Sequence, residues 1–321
     1  MNRQQKEKSN VSLRVNRSTD RILVEHPIFL IVGLPGICKS SLSYSADKPV
    51  SLNFDSESAQ ARAINRGDSI NILTVEDLVE LEQNGHPLIN EATTIIEDTV
   101  GSCIELIKVA VLQNPKCGTG GRPNWTGWAA IQQRYKNLHY KFKTAGKNQL
   151  LIAHAKEREQ DNVTFYRPQI DGGARDFVIQ QADFVAFLHI VGKERILDFN
   201  PTESWHGKNP GQWQPLVVPP PEKARTFLSE LMQKGREQLG AISQASAEVA
   251  ALIEAWKAKI VAFTKVEEFN SAIPEIKKLT QVQNVQVKKL LMDRSKELNF
   301  TFDAEKVLFI PPASEPVAAG F

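Results

Sequence analysis

The stretch Val32–Leu42, reading Val-Gly-Leu-Pro-Gly-Ile-Cys-Lys-Ser-Ser-Leu, constrains this chain more than any other. It follows the apolar run Ile28-Phe29-Leu30-Ile31-Val32, the pattern of a strand buried on both faces of a parallel sheet. It leads into a segment of helical character. A strand, a glycine-bearing turn and Lys-Ser form the layout of a phosphate-binding loop. Backbone N–H groups converge on such a turn, and the helix start behind it favours an anion. Gly33, Leu34, Pro35, Gly36, Ile37, Cys38, Lys39, Ser40 and Ser41 are therefore expected to bind a nucleotide. Lys39 would reach the terminal phosphates and the Ser40 hydroxyl would ligate Mg²⁺. The pattern G-x-x-x-x-G-K-[ST] breaks at one place. Cys38 stands where the glycine before the lysine belongs, and a side chain there makes positive φ harder to reach. Slow turnover is the expected consequence.

The totals set wide bounds. A chain of 321 residues, 41% hydrophobic, can hold one large domain plus an appendage. A net charge of +2 neither requires nor excludes nucleic acid, so a basic patch would have to be local. The three cysteines, Cys38, Cys103 and Cys117, have no paired metal spacing and fit a reducing cytoplasm. No apolar run approaches the roughly 20 residues a membrane helix needs, so no membrane partner is expected. The polar start, Met1-Asn-Arg-Gln-Gln-Lys-Glu-Lys, does not read as a signal peptide.

Along the chain, strands and helices alternate. Val50–Phe54 reads as a strand ending in Asp55 and Glu57; Ile70–Leu73 is a short apolar run; Thr74 can cap the helix Val75–Gln83. The strand beginning at Ala92 ends in Glu97 and Asp98, and Ser102–Gln113 is apolar at helical spacing. Asn114–Thr126, rich in Gly and Pro, reads as a long loop before the helix Trp128–Ala145. Gln149–Ala153 is a buried strand ending in His154, and Glu157–Gly173 reads as a second polar loop. Ala182–Ile190 and Arg195–Phe199 read as a β pair around Gly192, followed by an irregular stretch, Asn200–Gln214. Beyond Pro219-Pro-Pro, helices are expected at Glu222–Leu239, Ser243–Phe263, Val266–Lys278 and Val282–Leu298. The expected fold class is α/β, with a mostly parallel central sheet flanked by helices and a C-terminal helical extension. The expected organisation is an N-terminal arm over 1–24, a core over 25–218, a helical region over 219–310 and a tail over 311–321.

Ligands of such sheets bind at the carboxyl ends of the strands. Gly33–Ser40, Asp55 and Glu57, Asp98 and His154 all fall there. Asp98 is suited to hold Mg²⁺ beside Ser40, with Glu97 as the alternative if the register differs by one. Glu57 is suited to activate the attacking water; an ordinary solvent-facing acid is the plain alternative. His154 is suited to sense the γ-phosphate, and Lys208 to reach a nucleotide on a neighbouring subunit. The two loops mix cations with aromatics. Arg122, Trp125, Arg158, Phe165, Tyr166 and Arg167 are suited to bind single-stranded DNA, with cations tracking phosphates and rings stacking on bases.

On these residues the chain resembles the RecA-like ATPase core of the AAA/RecA superfamily. Phe54-Asp-Ser-Glu57 resembles that family's second-strand motif, whose glutamate is the catalytic base, and Ile96-Glu-Asp-Thr99 resembles its Walker B strand. More closely, the chain resembles the phage-encoded minimal RecA-core ATPases of the Sak type, which anneal single strands. The resemblance covers about residues 25–218. It rests also on the early Pro-Gly turn, the Lys48-Pro49 lead into a strand, the Trp-bearing loop before a long helix, and Ala182-Asp183 before a late strand. Lys208-Asn209 resembles a Lys-Asn-Arg finger in which Pro210 replaces the arginine. The resemblance implies an ATP- and Mg²⁺-dependent ATPase in the cytoplasm of a phage-infected bacterium. It would bind single-stranded DNA for recombination or annealing as a homo-oligomer, ring or filament. A single-strand-binding or replication protein is an expected further partner. From another class comes a nucleotide-gated adaptor or loader with little DNA affinity of its own. A small-molecule kinase is a third reading, disfavoured by Glu57 and by the lack of an arginine-clustered lid.

Overall fold

The computed structural model describes residues 15–55, 65–160 and 163–312. The chain divides into two compact units, Leu23–Leu239 and a second comprising Met1–Ile22 with Gly240–Phe321. In chain order the elements are β1 (Ile28–Gly33), α1 (Lys39–Ser43), β2 (Pro49–Asn53), β3 (Asp68–Asn71), α2 (Val75–Gln83), α3 (Pro87–Glu91), β4 (Thr94–Asp98), α4 (Val100–Leu112), β5 (Gly118–Thr119), β6 (Arg122–Pro123) and α5 (Trp125–Thr144). There follow β7 (Asn148–Gln160), β8 (Val163–Pro168), α6 (Ala174–Gln181), β9 (Phe184–Val191), β10 (Glu194–Asp198), β11 (Leu216–Val218), α7 (Phe227–Val261), α8 (Val266–Lys277), α9 (Gln281–Glu297), β12 (Thr301–Asp303) and β13 (Leu308–Ile310).

The first unit is built on one sheet in the order β11-β10-β9-β1-β7-β4-β2-β3, with β8 paired to β7. From β9 to β3 the pairing is parallel; β10 and β11 are antiparallel additions at one edge. The expected fold class is observed. All six residues of β1 are buried. Ile28, Leu30 and Val32 enter the core shared with α4, α5 and α6. Phe29 and Ile31 enter the opposite core with Leu42 and with Leu228, Leu231 and Met232 of α7. Successive strand side chains point to opposite faces, so a strand covered on both sides reads as an unbroken apolar run. The Asp183 carboxylate accepts the Ile28 N–H at 2.8 Å and fixes the start of β1 against β9.

Several elements differ from expectation. The stretch 114–126 folds as a miniature hairpin, β5 with β6, around Gly120 (φ 58°) and Gly121 (φ 73°). Two left-handed residues give the tight turn that matches strand twist. The second expected loop is mostly strand: β7 runs 13 residues and pairs antiparallel with β8. Its β-branched and aromatic residues, Val163-Thr-Phe-Tyr, outweigh the polar composition. The two helices expected on either side of Gly240 are one 35-residue helix. One interior glycine costs only about 1 kcal/mol against alanine, and the apolar period continues through it. The division between the units falls inside this helix, twenty residues beyond Pro219, because Leu228, Leu231 and Met232 belong to the sheet's core. The irregular stretch after β10 is anchored by stacking, Trp213 on Phe184 at 4.8 Å and Trp205 on Phe187 at 4.9 Å.

The second unit has its own core around Phe269, whose ring meets Phe263, Phe300 and Phe309, each at 5.3 Å. Helices α8 and α9 pack against each other in this core, together with β12 and β13. The amide of Ile22 donates to the Ser243 hydroxyl at 2.6 Å, so the end of the expected arm is hydrogen-bonded within this unit.

Gly235 lets α7 approach the sheet. A Cβ there would lie 2.9 Å from Phe184 and 3.0 Å from Phe29, rings already stacked on each other. Overpacking outweighs the helix propensity gained, so Gly235→Ala should destabilise the protein by about 1–2 kcal/mol. Chemical denaturation would read this as a lower midpoint at unchanged slope.

Candidate functional site

The site is assembled at the carboxyl ends of β1, β2 and β4 and beside the middle of β7, which runs on past the sheet to Gln160. Gly33 lies level with His154 in the β1–β7 register, and Asn53 lies level with Asp98 in the β2–β4 register. The turn after β1 is shaped by Gly36 at φ 83° and Cys38 at φ 66°, ψ 34°. The cysteine thus takes the left-handed conformation the sequence made doubtful. That conformation costs a non-glycine residue roughly 1–2 kcal/mol.

Lys39 is only 5% exposed. Its ammonium donates to the carbonyls of Gly33 and Leu34, each at 2.8 Å, and lies 3.4 Å from Nδ1 of His154. The two carbonyl oxygens stand where phosphate oxygens would be expected to meet the ammonium. Burial lowers the Lys39 pKa to about 8, although Asp98 and Asp55 oppose the shift. His154 is lowered by burial and by Lys39, so the imidazole is neutral at pH 7 and offers Nδ1 as an acceptor.

Strand alternation decides between Glu97 and Asp98. Asp98 faces the P-loop, where the Ser40 hydroxyl hydrogen-bonds its carboxylate; burial raises its pKa, and Ser40 and Lys39 oppose the rise. Glu97 points to the other face, fully buried, where Tyr135 donates to Oε2 at 3.0 Å. Burial pushes Glu97 up to about 7. A hydroxyl and a carboxylate beside a buried lysine are the oxygen donors that Mg²⁺ with a triphosphate requires, so the residues fit that pair. Asp55 is the residue sequence reasoning used least. Its charge acts on Lys39, Asp98 and His154 together, and its place at the end of β2 was the available signal. Glu57, the expected base, lies outside the described residues.

Lys208 is placed elsewhere. Its ammonium donates to the carbonyls of Gln180 at 3.0 Å and Ala182 at 2.9 Å, before the amino end of β9. The P-loop lies at the other end of the same strands.

The expected DNA-contacting residues divide by face. Opposed pairs in the β7–β8 register are Lys156 with Arg167 and Arg158 with Phe165. These share one face of the hairpin, and the Arg167 guanidinium lies over the Phe165 ring at 4.8 Å. Tyr166 points to the other face and packs on Phe187 at 5.1 Å, so alternation removes it from the set. Trp125 is 90% exposed at the start of α5, and Arg122 is exposed on β6. A cleft of about 270 Å³ lies between Trp125, Trp128, Gln132 and Asp171. A second, of about 400 Å³, reaches from Phe54 and Thr99 to His154 and Asp171.

The AAA domain family matches residues 25–210, more than half of the 321 residues. The chain belongs to that family. The AAA match begins just before β1 and takes in the P-loop, Asp98, His154, the β7–β8 hairpin and Lys208. A crystal structure of a KaiC-like protein from the hyperthermophilic archaeon Pyrococcus horikoshii is similar over 63% of this chain and 96% of its own, at 12% identity and a TM-score of 0.33. No curated protein matches the chain. Among the described residues no helix is long and apolar enough to cross a membrane, and no cluster of His, Cys, Asp and Glu is arranged to hold a metal by itself.

Two outcomes follow for nucleotide binding. In the unfolded chain Lys39 titrates near 10.5, and in the folded protein near 8. Between these values the unfolded chain holds more protons, so this group makes stability rise with pH. A bound polyphosphate favours the charged ammonium, so binding takes up a proton above pH 8. Affinity should fall about tenfold per pH unit there, with proton uptake visible calorimetrically in buffers of different ionisation enthalpy. At position 38, Cys38→Gly should bind at least as tightly as the parent. Cys38→Val, a β-branched residue held at positive φ, should bind about tenfold more weakly in equilibrium titration.

Proposed function

We propose that this AAA-family protein is an ATP- and Mg²⁺-dependent RecA-like ATPase that binds single-stranded DNA for phage recombination or strand annealing. Gly33–Ser41 cradle the nucleotide; Lys39 meets the terminal phosphates; Ser40 and Asp98 hold the metal. Mg²⁺ bridges phosphate oxygens and neutralises charge developing in transfer. His154 senses the γ-phosphate through its contact with Lys39, and Glu57 activates water. The observation that carries the DNA reading is the cation-and-aromatic face of the β7–β8 hairpin, Lys156, Arg158, Phe165 and Arg167. It continues without interruption from the strand position that touches Lys39. Trp125 and Arg122 supply a further exposed ring and cation. The protein works as a homo-oligomer in the bacterial cytoplasm.

A second reading, a nucleotide-gated adaptor for a replication protein, is supported by the separate aromatic core of the C-terminal unit. Salt dependence separates the two. Phosphate contacts give a linear loss of log affinity with log salt, with a slope of about −0.7 per single-strand phosphate contact. Binding of oligo-dT with a non-hydrolysable ATP analogue should show such a slope. Arg158→Glu with Arg167→Glu should flatten it by about 1.4. Trp125→Ala should cost about 1–3 kcal/mol by loss of stacking. Single-strand affinity and oligomer size that ignore both ATP and its analogue would refute the DNA reading.

A further inference from the structure

The C-terminal unit carries a groove that the nucleotide chemistry does not use. It opens beside the hairpin of α8 and α9, with a cavity of about 180 Å³. That is enough for one large apolar side chain, since an engineered cavity of roughly 150 Å³ admits benzene. Its lining is apolar, with Ile273, Leu291, Met292 and Phe302 among the walls. The unbranched thioether of Met292 can adapt to the shape of an inserted group. Val307 completes the wall from the turn between β12 and β13, 41% exposed and at φ 53°. A β-branched residue in the left-handed region is strained, and such strain collects at ligand clamps.

Two lysines stand at this groove, Lys277 on the last turn of α8 and Lys288 on α9. Neither ammonium has an ion pair or hydrogen bond among the described residues. Elsewhere in the unit Lys259 pairs with Glu275 at 2.7 Å, Arg294 with Glu297 at 2.7 Å and Lys306 with Asp303 at 3.9 Å, so acidic groups are within reach of other cations but not of these two. Two ammonium groups without an ion pair thus stand at the edge of an apolar opening. The complement is a segment with an apolar anchor and flanking carboxylates. A nucleic acid would supply the negative charge, but its base edges would find few hydrogen-bonding partners in an apolar wall, and unpaired polar groups are costly.

We propose that this groove docks an acidic, apolar peptide segment of a partner protein. The anchor fills the space between Met292 and Val307, and carboxylates meet Lys277 and Lys288. The inference does not rest on the nucleotide or DNA reading; it stands if either fails.

Display selection of random short peptides on the full chain tests it without assuming a motif. Enriched sequences should place Asp or Glu beside Leu, Ile or Phe. A labelled representative, followed by fluorescence anisotropy, should weaken with salt and lose about tenfold or more in affinity to the Lys277→Glu, Lys288→Glu double variant. Both positions are solvent-facing charges, so the thermal midpoint should hold. Val307→Asp gives an independent arm. Aspartate tolerates positive φ better than valine, so stability should be kept while the acidic peptide is repelled. The proposal is overturned if selection yields no consensus or a basic one. It is equally overturned if the double variant binds enriched peptides like the parent, or if oligo-dT displaces them from the groove.

Discussion

Burying both faces of β1 is the constraint on which the nucleotide-facing unit depends. A strand in the middle of a parallel sheet needs a helical layer on each side, and each fully buried Ile, Leu, Phe or Val contributes about 1.5–3 kcal/mol. The chain provides α4, α5 and α6 for one face and α1 with the first half of α7 for the other. The phosphate loop therefore springs from a strand covered on both faces. Asp183 secures the other end of that strand by accepting the Ile28 amide, which gives the Ala182-Asp183 pair a structural reason.

The loop resolves an electrostatic difficulty at the end of this strand. An ammonium taken out of water must find oxygen partners. Lys39 finds them in the carbonyls of Gly33 and Leu34, with the Asp98 and Asp55 charges near enough to favour its protonated form. The same side chain is thus both buried and poised to exchange backbone oxygens for stronger anionic ones. Cys38 fits this picture. Its backbone adopts the glycine-like turn, so the departure from the motif is taken up as local strain at that position.

Much of this was legible in the sequence because period and chemistry agreed. The apolar run before Gly33 and the carboxylate closing β4 occupy the strand ends their pattern indicated, whereas His154, read as a strand end, lies in the middle of β7, level with Gly33. Thr74 caps Val75–Gln83 with the Asp77 N–H bonded to its hydroxyl, as propensity alone suggests. Where reading failed, non-local packing decided. Gly240 looked like a helix end, but the apolar stripe on either side of it keeps α7 whole. The charged composition of 157–173 looked like a loop, but cross-strand pairing made it a hairpin. Lys208 was read as reaching toward a neighbouring nucleotide, and the two carbonyls it meets lie more than twenty residues away in sequence, beyond any local pattern. Tyr166 and Phe165 are neighbours in sequence and opposites in space, a distinction that only register supplies.

The hairpin's register carries an evolutionary corollary. Lys156, Arg158, Phe165 and Arg167 share a face only because each is matched across the β7–β8 pair in fixed phase. Substitution changes one contact at a time. A single inserted residue within either strand would instead invert everything beyond it, carrying the cations inward and the Tyr166 side outward. Related chains should therefore vary freely in the identity of these side chains, while insertions inside the paired segments come in even numbers or stay at the turn. Parity of length, more than conservation of any one arginine, would be the lasting mark of this surface.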